Sequence, residues 1–260
     1  MINIKSGREI EIMRKAAKIA AGALKTAGEI IVPGISTKKL DLHIRKYIES
    51  RGASPSFFRY DPGDGRKYPA NACISVNDEV IHGIPKEDRI LRDGDIVKID
   101  VGAKFSGYHG DCANTFYCGN PANMDAGIKK LIETTRQCFY EGLKFATVGY
   151  RIGDVGAAIQ KYVESNGFSI VREYIGHAVG KELHEKPEIP HYVEEGKGKG
   201  QRFVENMVVA IEPMVNAGSY DVKLQGDNWT VKTLDGKLSA HYENTVLIRK
   251  NGCEILTVTD

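Results

Sequence analysis

The sequence predicts an α+β fold in which two duplicated halves share one sheet. Three observations carry this. Two amphipathic helices precede three strand-like segments, the same order recurs 115 residues later, and acidic residues from both halves interrupt otherwise apolar strands. At 260 residues the chain is longer than one typical domain and shorter than two, and a duplicated pair of half-sized units accounts for that length.

The first helix is announced by Ser6-Gly-Arg-Glu9, a capping box in which a serine and a glutamate three residues on can each satisfy the other's backbone N–H. Ile10, Met13, Ala17, Ala20 and Leu24 follow at spacings of three and four, so the helix runs to about Gly28. After Pro33-Gly34 a second helix is expected over 37–50, with Leu40, Ile44, Tyr47 and Ile48 on one face and Gly52 closing it. Segments 72–81, 96–101 and 108–117 are β-branched and aromatic runs between Gly and Pro turns, and read as strands.

Sliding the chain on itself by 115 residues lays Gly34 on Gly149, Ile44 on Ile159, Lys46-Tyr47 on Lys161-Tyr162, and Glu49-Ser50 on Glu164-Ser165. Gly52 falls on Gly167 and Ser54 on Ser169. Amphipathic helices match by chance at apolar positions, but not at Lys-Tyr and Glu-Ser pairs. A single repeat of half the chain also differs from the several short periods of a solenoid. The expected organisation is one domain, residues 1–260, with halves of about 1–120 and 121–260.

Composition narrows the partners. Lys and Arg number 36 against 34 Asp and Glu, a net charge of +2 that gives no strong field for DNA or an anionic membrane. The amino terminus lacks an apolar core with a cleavage site, and no uncharged run approaches the roughly 18 residues of a membrane span, so a cytoplasmic protein is expected. The cysteines (Cys73, Cys112, Cys118, Cys138, Cys253) are odd in number and form no C-x-x-C pair, which suggests reduced, mostly buried thiols.

Segment 95–102 reads as a buried strand with Asp100 in its middle, a costly position unless something pairs with it. A hairpin pivoting between Phe105 and Ser106 sets Asp100 opposite Asp111, at about 5 Å between Cβ atoms, where like charges repel. A cation between them turns that repulsion into a ligand set. Glu212, Glu243 and His177 sit in similarly apolar runs. Singly they also read as a strand-end Glu before Pro213, a half-exposed cross-strand Glu and a hydrogen-bonded core His. Together the five supply enough oxygen and nitrogen donors for two divalent ions with shared carboxylates. Rival motifs fail: His184-Glu-Lys-Pro-Glu188 is not H-E-x-x-H, and Gly196-Lys-Gly-Lys-Gly200 lacks the flanking strand and helix of a phosphate loop. Asn228-Trp-Thr230 matches a glycosylation sequon without a signal peptide to give it meaning.

Asn71-Ala-Cys-Ile-Ser-Val-Asn77, His82-Gly-Ile-Pro85, Asp100 with Asp111, Gly176-His177 with His184, Ile211-Glu-Pro-Met214 and Ser239-Ala-His-Tyr-Glu243 together resemble the methionine aminopeptidase family, type I, over nearly the whole chain. The 27 residues between His184 and Glu212 leave no room for the helical insertion of type II enzymes, and no zinc-finger extension precedes the first helix. The resemblance implies the pita-bread fold and a cytoplasmic, monomeric enzyme that hydrolyses the initiator methionine from nascent chains with a small second residue. It implies five metal ligands, Asp111 and Glu243 shared by two ions, Asp100 on one, and His177 with Glu212 on the other. Two divalent ions (Fe, Mn, Co, Zn or Ni) would make hydroxide available near neutral pH. Glu212 would hold the water proton, His184 stabilise the oxyanion, and His82 contact the substrate amide. The methionine side chain would lie among Tyr68, Cys73, Trp229 and Leu183. Asn77 and Ser239 match positions that hold a structural Na+ or K+ through backbone oxygens.

There are departures. Gly65-Arg-Lys-Tyr-Pro69 stands where the family usually has H-G-Y-P, so a rim histidine is missing from a longer 59–69 loop. Gly176-His-Ala-Val-Gly180 replaces Gly-His-Gly-Ile-Gly, and Leu183 replaces an aromatic. Prolidase, aminopeptidase P and creatinase share the fold and form the alternative activity, and a metal-free peptide, RNA or ribosome-binding relative the alternative class. Docking on the ribosome through a basic loop at 197–202 is a further expectation.

Overall fold

Ser6 caps the first helix through the reciprocal bonds its sequence pattern requires. In the computed structural model, which describes residues 2–193, 196 and 198–259, the Ser6 hydroxyl accepts from Glu9 N while Glu9 Oε2 accepts from Ser6 N at 2.8 Å. Helix α1 spans Gly7–Glu29 and buries Ile10, Met13, Ala17, Ala20 and Leu24. Helix α2, Thr37–Ser50, starts at Ser36, whose hydroxyl accepts from Lys39 N. In the second half α3 spans Ala126–Leu143 and α4 Ile152–Ser165. Helices α2 and α4, and the short strands Ser54–Pro55 and Ser169–Ile170 after them, stand 115 residues apart, the offset of the sequence repeat.

The strands differ in detail from expectation. Segment 72–81 is two strands, Cys73–Val76 and Glu79–Ile81, because Asn77 adopts φ 58° and turns the chain between them. The next strand extends past Val101 to Phe105 and forms a hairpin with Tyr108–Tyr117. The turn is centred on Ser106 and Gly107, both at positive φ (48° and 86°), as a two-residue hairpin matched to strand twist requires. Phe105 therefore stays in the ladder opposite Tyr108. This corrects the expected pivot between Phe105 and Ser106. Asp111 pairs with Gly102, and Asp100 pairs with Ala113, so the two aspartates are diagonal neighbours and not opposed. A slip of two residues leaves both on one face, where a slip of one would have separated them.

Nine antiparallel strands form the main sheet. Its path runs from Ser54–Pro55 through Ile96–Phe105, Tyr108–Tyr117, Glu243–Arg249, Val208–Ile211 and Gly176–Ala178 to Glu185–Ile189. Cys73–Val76 also pairs with Ile96–Phe105, and Gly252–Ile255 with Glu243–Arg249. The two halves meet in this sheet where Glu243 pairs with Ala113 and Asn244 with Cys112. Two three-stranded sheets flank it: Ser169–Ile170, Met214–Asn216 and Ser239–His241 in one, Glu79–Ile81, Val231–Thr233 and Val222–Leu224 in the other.

Alternation sorts the side chains. Val97, Ile99, Val101 and Ala103 pack with Ala20, Leu24, Leu40, Ile44 and Ile48 of α1 and α2, which turns Lys98 and Asp100 the other way. Val209, Ile211, Val246 and Ile248 pack with Phe139, Val155 and Ile159 of α3 and α4, which turns Ala210, Glu243 and Thr245 away from that core. Helix α1 approaches Tyr108–Tyr117 closely. A Cβ on Gly110 would lie 2.5 Å from the Ala17 backbone, so only glycine fits there.

Candidate metal centre and active site

Strand register delivers the acidic residues in two adjacent rows. In the first, Cys73 pairs with Asp100, Asp100 with Ala113, and Ala113 with Glu243. In the second, Thr245 bonds both backbone groups of Asp111, accepting from its N–H at 2.9 Å and donating to its carbonyl at 2.8 Å. Thr245 also pairs with Ala210, and Ala210 with His177. Glu212 follows directly on Val208–Ile211, and its N–H donates to His191 Nε2 at 3.1 Å.

The side chains converge. Asp111, His177 and Glu243 each offer a ligand atom, all within 4.8 Å of one another. Glu212 Oε1 is 3.3 Å from His177 Nε2. His177 Nδ1 lies 3.0 Å from Ala178 O and donates there, so the Nε2 lone pair is free to face a cation. Asp100 completes the set beside Asp111. One oxygen on each carboxylate, Oδ1 of Asp100 and Asp111 and Oε1 of Glu212 and Glu243, is buried without a hydrogen-bond partner among the described residues.

Those orphaned oxygens are the acceptors that a bound cation would meet. Burial raises Asp100 well above the usual carboxylate range, and the charges of Asp111 and Glu212 raise it further. Burial and Asp111 do the same to Glu212, and burial with Asp111, Glu212 and Asp100 to Glu243. Burial pushes Asp111 up to about 7 despite a hydrogen bond with Asp100. Burial, then the charge of His184, pulls His177 down to about 3, so its imidazole is neutral. Four carboxylates short of positive charge, plus a neutral nitrogen donor, fit divalent cations.

These five residues form the inner wall of a cavity of about 350 Å³ that His82, His184, Tyr68, Cys73, Leu183 and Trp229 also line. Tyr68, Cys73 and Leu183 are buried in one cluster with Phe57, and Trp229 packs on it, its ring edge-on to Tyr68 at 5.1 Å. Burial raises Tyr68 and Cys73 well above their ordinary values, leaving both neutral. His82, at φ 57°, sits edge-on to Tyr174 at 5.7 Å. His184 lies 4.2 Å from His177, ring to ring, and its Nδ1 is 2.6 Å from the Tyr60 hydroxyl.

Asn77 and Ser239 do not line this cavity. Ser239 N–H and the Lys98 ammonium both donate to Asn77 O, at 3.1 and 2.7 Å. Burial lowers Lys98 to about 7, while Glu79, Asp78 and Asp95 favour its charged form.

Several lining residues escaped the sequence reading. Phe57 and Tyr60 belong to an aromatic run, Phe57-Phe-Arg-Tyr60, that was a usable signal. Tyr174, which also lines the cavity, and His191, which accepts from Glu212 N–H behind it, have no such signal. In the altered 59–69 loop, Arg66 lies over the Trp229 ring at 5.3 Å, donates to Asn228 O at 2.6 Å and pairs with Asp64. A guanidinium thus lines this side of the cavity. Of the basic loop expected to dock, Lys197 lies outside the described residues.

Residues 11–250 match metallopeptidase family M24. Methionine aminopeptidase 1 of Bacillus subtilis is 50% identical over 257 residues, 99% of both chains. Methionine aminopeptidase of Clostridium acetobutylicum is 47% identical over 261 residues, the whole of both. The crystal structure of methionine aminopeptidase from Thermotoga maritima superposes with a TM-score of 0.92 at 41% identity, covering both chains fully. Prolidase from Pyrococcus furiosus shares the fold, with a TM-score of 0.78 at 24% identity over 99% of this chain and 66% of its own.

Proposed function

The chain belongs to metallopeptidase family M24, and from that premise we propose that it hydrolyses the first peptide bond of chains that begin with methionine. The observation that carries this reading is the junction of two unlike surfaces: buried, charge-deficient carboxylates meet an apolar end built from Tyr68, Cys73, Leu183 and Trp229 in one cavity. An unbranched thioether fits the apolar end, and its α-amino group then lies toward the carboxylates.

Asp100, Asp111, His177, Glu212 and Glu243 would together hold the divalent ions. When bound, such ions supply Lewis acidity and a nucleophilic hydroxide at neutral pH. Glu212 takes the proton of the attacking water and passes it to the leaving nitrogen, a role supported by its place at the cavity wall beside His177. His184 donates from Nε2 to the developing oxyanion. His82, pulled down to about 4 by burial, is neutral and hydrogen-bonds the substrate amide. Crowding near His82 and Tyr68 limits the second residue to small side chains.

The donor chemistry admits Fe, Mn, Co, Zn or Ni. Residues 1–260 act as one domain because both halves contribute ligands, and a monomer in the cytoplasm acting on nascent chains is the setting that suits this activity. The test is hydrolysis of Met-Gly-X against X-Pro peptides by protein reconstituted with each metal under reducing, oxygen-free conditions. Metal-dependent release of methionine is expected. Cleavage of the proline peptide alone would replace this reading with a prolidase.

A further inference from the structure

The carbonyl of Asn77 has no lone pair left for a bound cation. A carbonyl oxygen accepts two hydrogen bonds, and here Ser239 N–H takes one at 3.1 Å and Lys98 Nζ the other at 2.7 Å. The carbonyl cannot readily turn elsewhere. Asn77 is held at φ 58° by bonds from its own N–H to Ile96 O (2.9 Å), from Ile96 N–H to its Oδ1 (3.0 Å), and from its Nδ2 to Asp95 Oδ1 (2.8 Å).

Lys98 is among the largest fully buried side chains, 1% exposed, between the apolar Val97 and Ile99, whereas Lys104 on the same strand is exposed. A buried ammonium is tolerated only where fixed negative ends surround it. Lys98 has the Asn77 carbonyl in contact and the charges of Glu79, Asp78 and Asp95 nearby, with Arg89 opposing and Lys232 paired to Asp78 and Glu79. The ammonium thus holds the carbonyl oxygen that an alkali cation would need, within the field of three carboxylates.

We propose that the Lys98 ammonium replaces the Na+ or K+ expected at Asn77 and Ser239, so that this protein carries its structural cation covalently and binds no alkali metal there. The placement gives the cation a purpose. Lys98 is two residues from Asp100 on the same face of its strand, and Ser239 begins the strand that leads to Glu243. Asn77 O therefore receives Lys98 from the first half and the Ser239 N–H from the second, beside the strands that carry Asp100 and lead to Glu243.

Thermal unfolding of the full-length, metal-loaded protein in NaCl, KCl and choline chloride at equal ionic strength tests this. The unmodified protein should melt at the same temperature in all three. Lys98→Ala, which leaves a space lined with oxygens, should melt roughly 5 °C lower in choline and recover part of that loss in Na+ or K+. A sodium or thallium NMR titration of the unmodified protein should show no saturable site. The proposal is overturned by an alkali-dependent melting point or saturable binding in the unmodified protein, or by a Lys98→Ala protein as stable as the parent in choline. The measurements on the unmodified protein decide the matter even if the variant does not fold.

Discussion

The Tyr60 hydroxyl lies 2.6 Å from Nδ1 of His184, across 124 residues of sequence. Burial raises the Tyr60 phenol above its ordinary value, so it stays protonated and is the donor. His184 then carries its proton on Nε2, the nitrogen free to serve a substrate oxygen. Tyr60→Phe keeps the ring and removes the bond. Its kcat should fall roughly fivefold, the worth of one neutral hydrogen bond, with KM within about twofold. Nitrogen chemical shifts of His184 in metal-free protein should show mixed tautomers in the variant and one in the parent. A raised KM with kcat intact would make Tyr60 only a wall of the cavity.

Asp111 stands at the centre of the acidic set, its charge raising the proton affinity of Asp100, Glu212 and Glu243. Asp111→Asn should lower activity by more than about a hundredfold, beyond the usual effect of altering a group behind a metal ligand. It should also remove repulsion from the metal-free protein. Calorimetry without metal at pH 8 should give the variant a melting point equal to or above the parent's, and full turnover would refute a shared-ligand role.

Metal-free protein should lose stability as pH rises above about 6.5. The carboxylates of Asp100, Asp111, Glu212 and Glu243 bind protons more tightly folded than unfolded. Over the window in which the unfolded chain has lost those protons and the folded one keeps them, stability falls with pH. Burial holds His82, His177, His191 and His241 below their ordinary value of 6.5, so they act oppositely, but only as pH drops below about 6.5. From there to about pH 8 the four carboxylates set the descending limb, and the single Lys98, lowered to about 7 by burial, opposes them because the unfolded chain keeps that proton longer. Melting curves over that range should slope downward without metal and flatten when metal is added.

Gly110→Ala should destabilise the fold by about 2–3 kcal/mol, since its Cβ would meet the Ala17 backbone at 2.5 Å and neither strand nor helix can yield cheaply. Denaturant titration gives the value. A loss under about 0.5 kcal/mol would mean that α1 shifts freely on the sheet.

Asp100 and Asp111 were legible in the sequence because an acid within an apolar strand contradicts its surroundings. Their register was not, since Ser106 and Gly107 both accept positive φ and neighbouring turn positions look alike. The error was harmless to the site, as a two-residue slip preserves the face. The helices were legible from capping and periodicity, and α2 matched its expected bounds of 37–50. Lys98 was not, because a lone lysine in a strand ordinarily reads as a side chain that reaches solvent. His191 acts through a contact made only on folding, with no local pattern to signal it, whereas Tyr60 lies in an aromatic run that marks the region but not its partner.

The pairing of Ala113 with Glu243 places a carboxylate of the proposed ligand set on the seam between halves. Two separate chains of half this length would complete that seam only by colliding, and their ligand set would dissolve on dilution. Carried on one polypeptide, the encounter is intramolecular and its effective concentration is fixed by geometry. Specific activity should therefore hold constant however dilute the protein becomes.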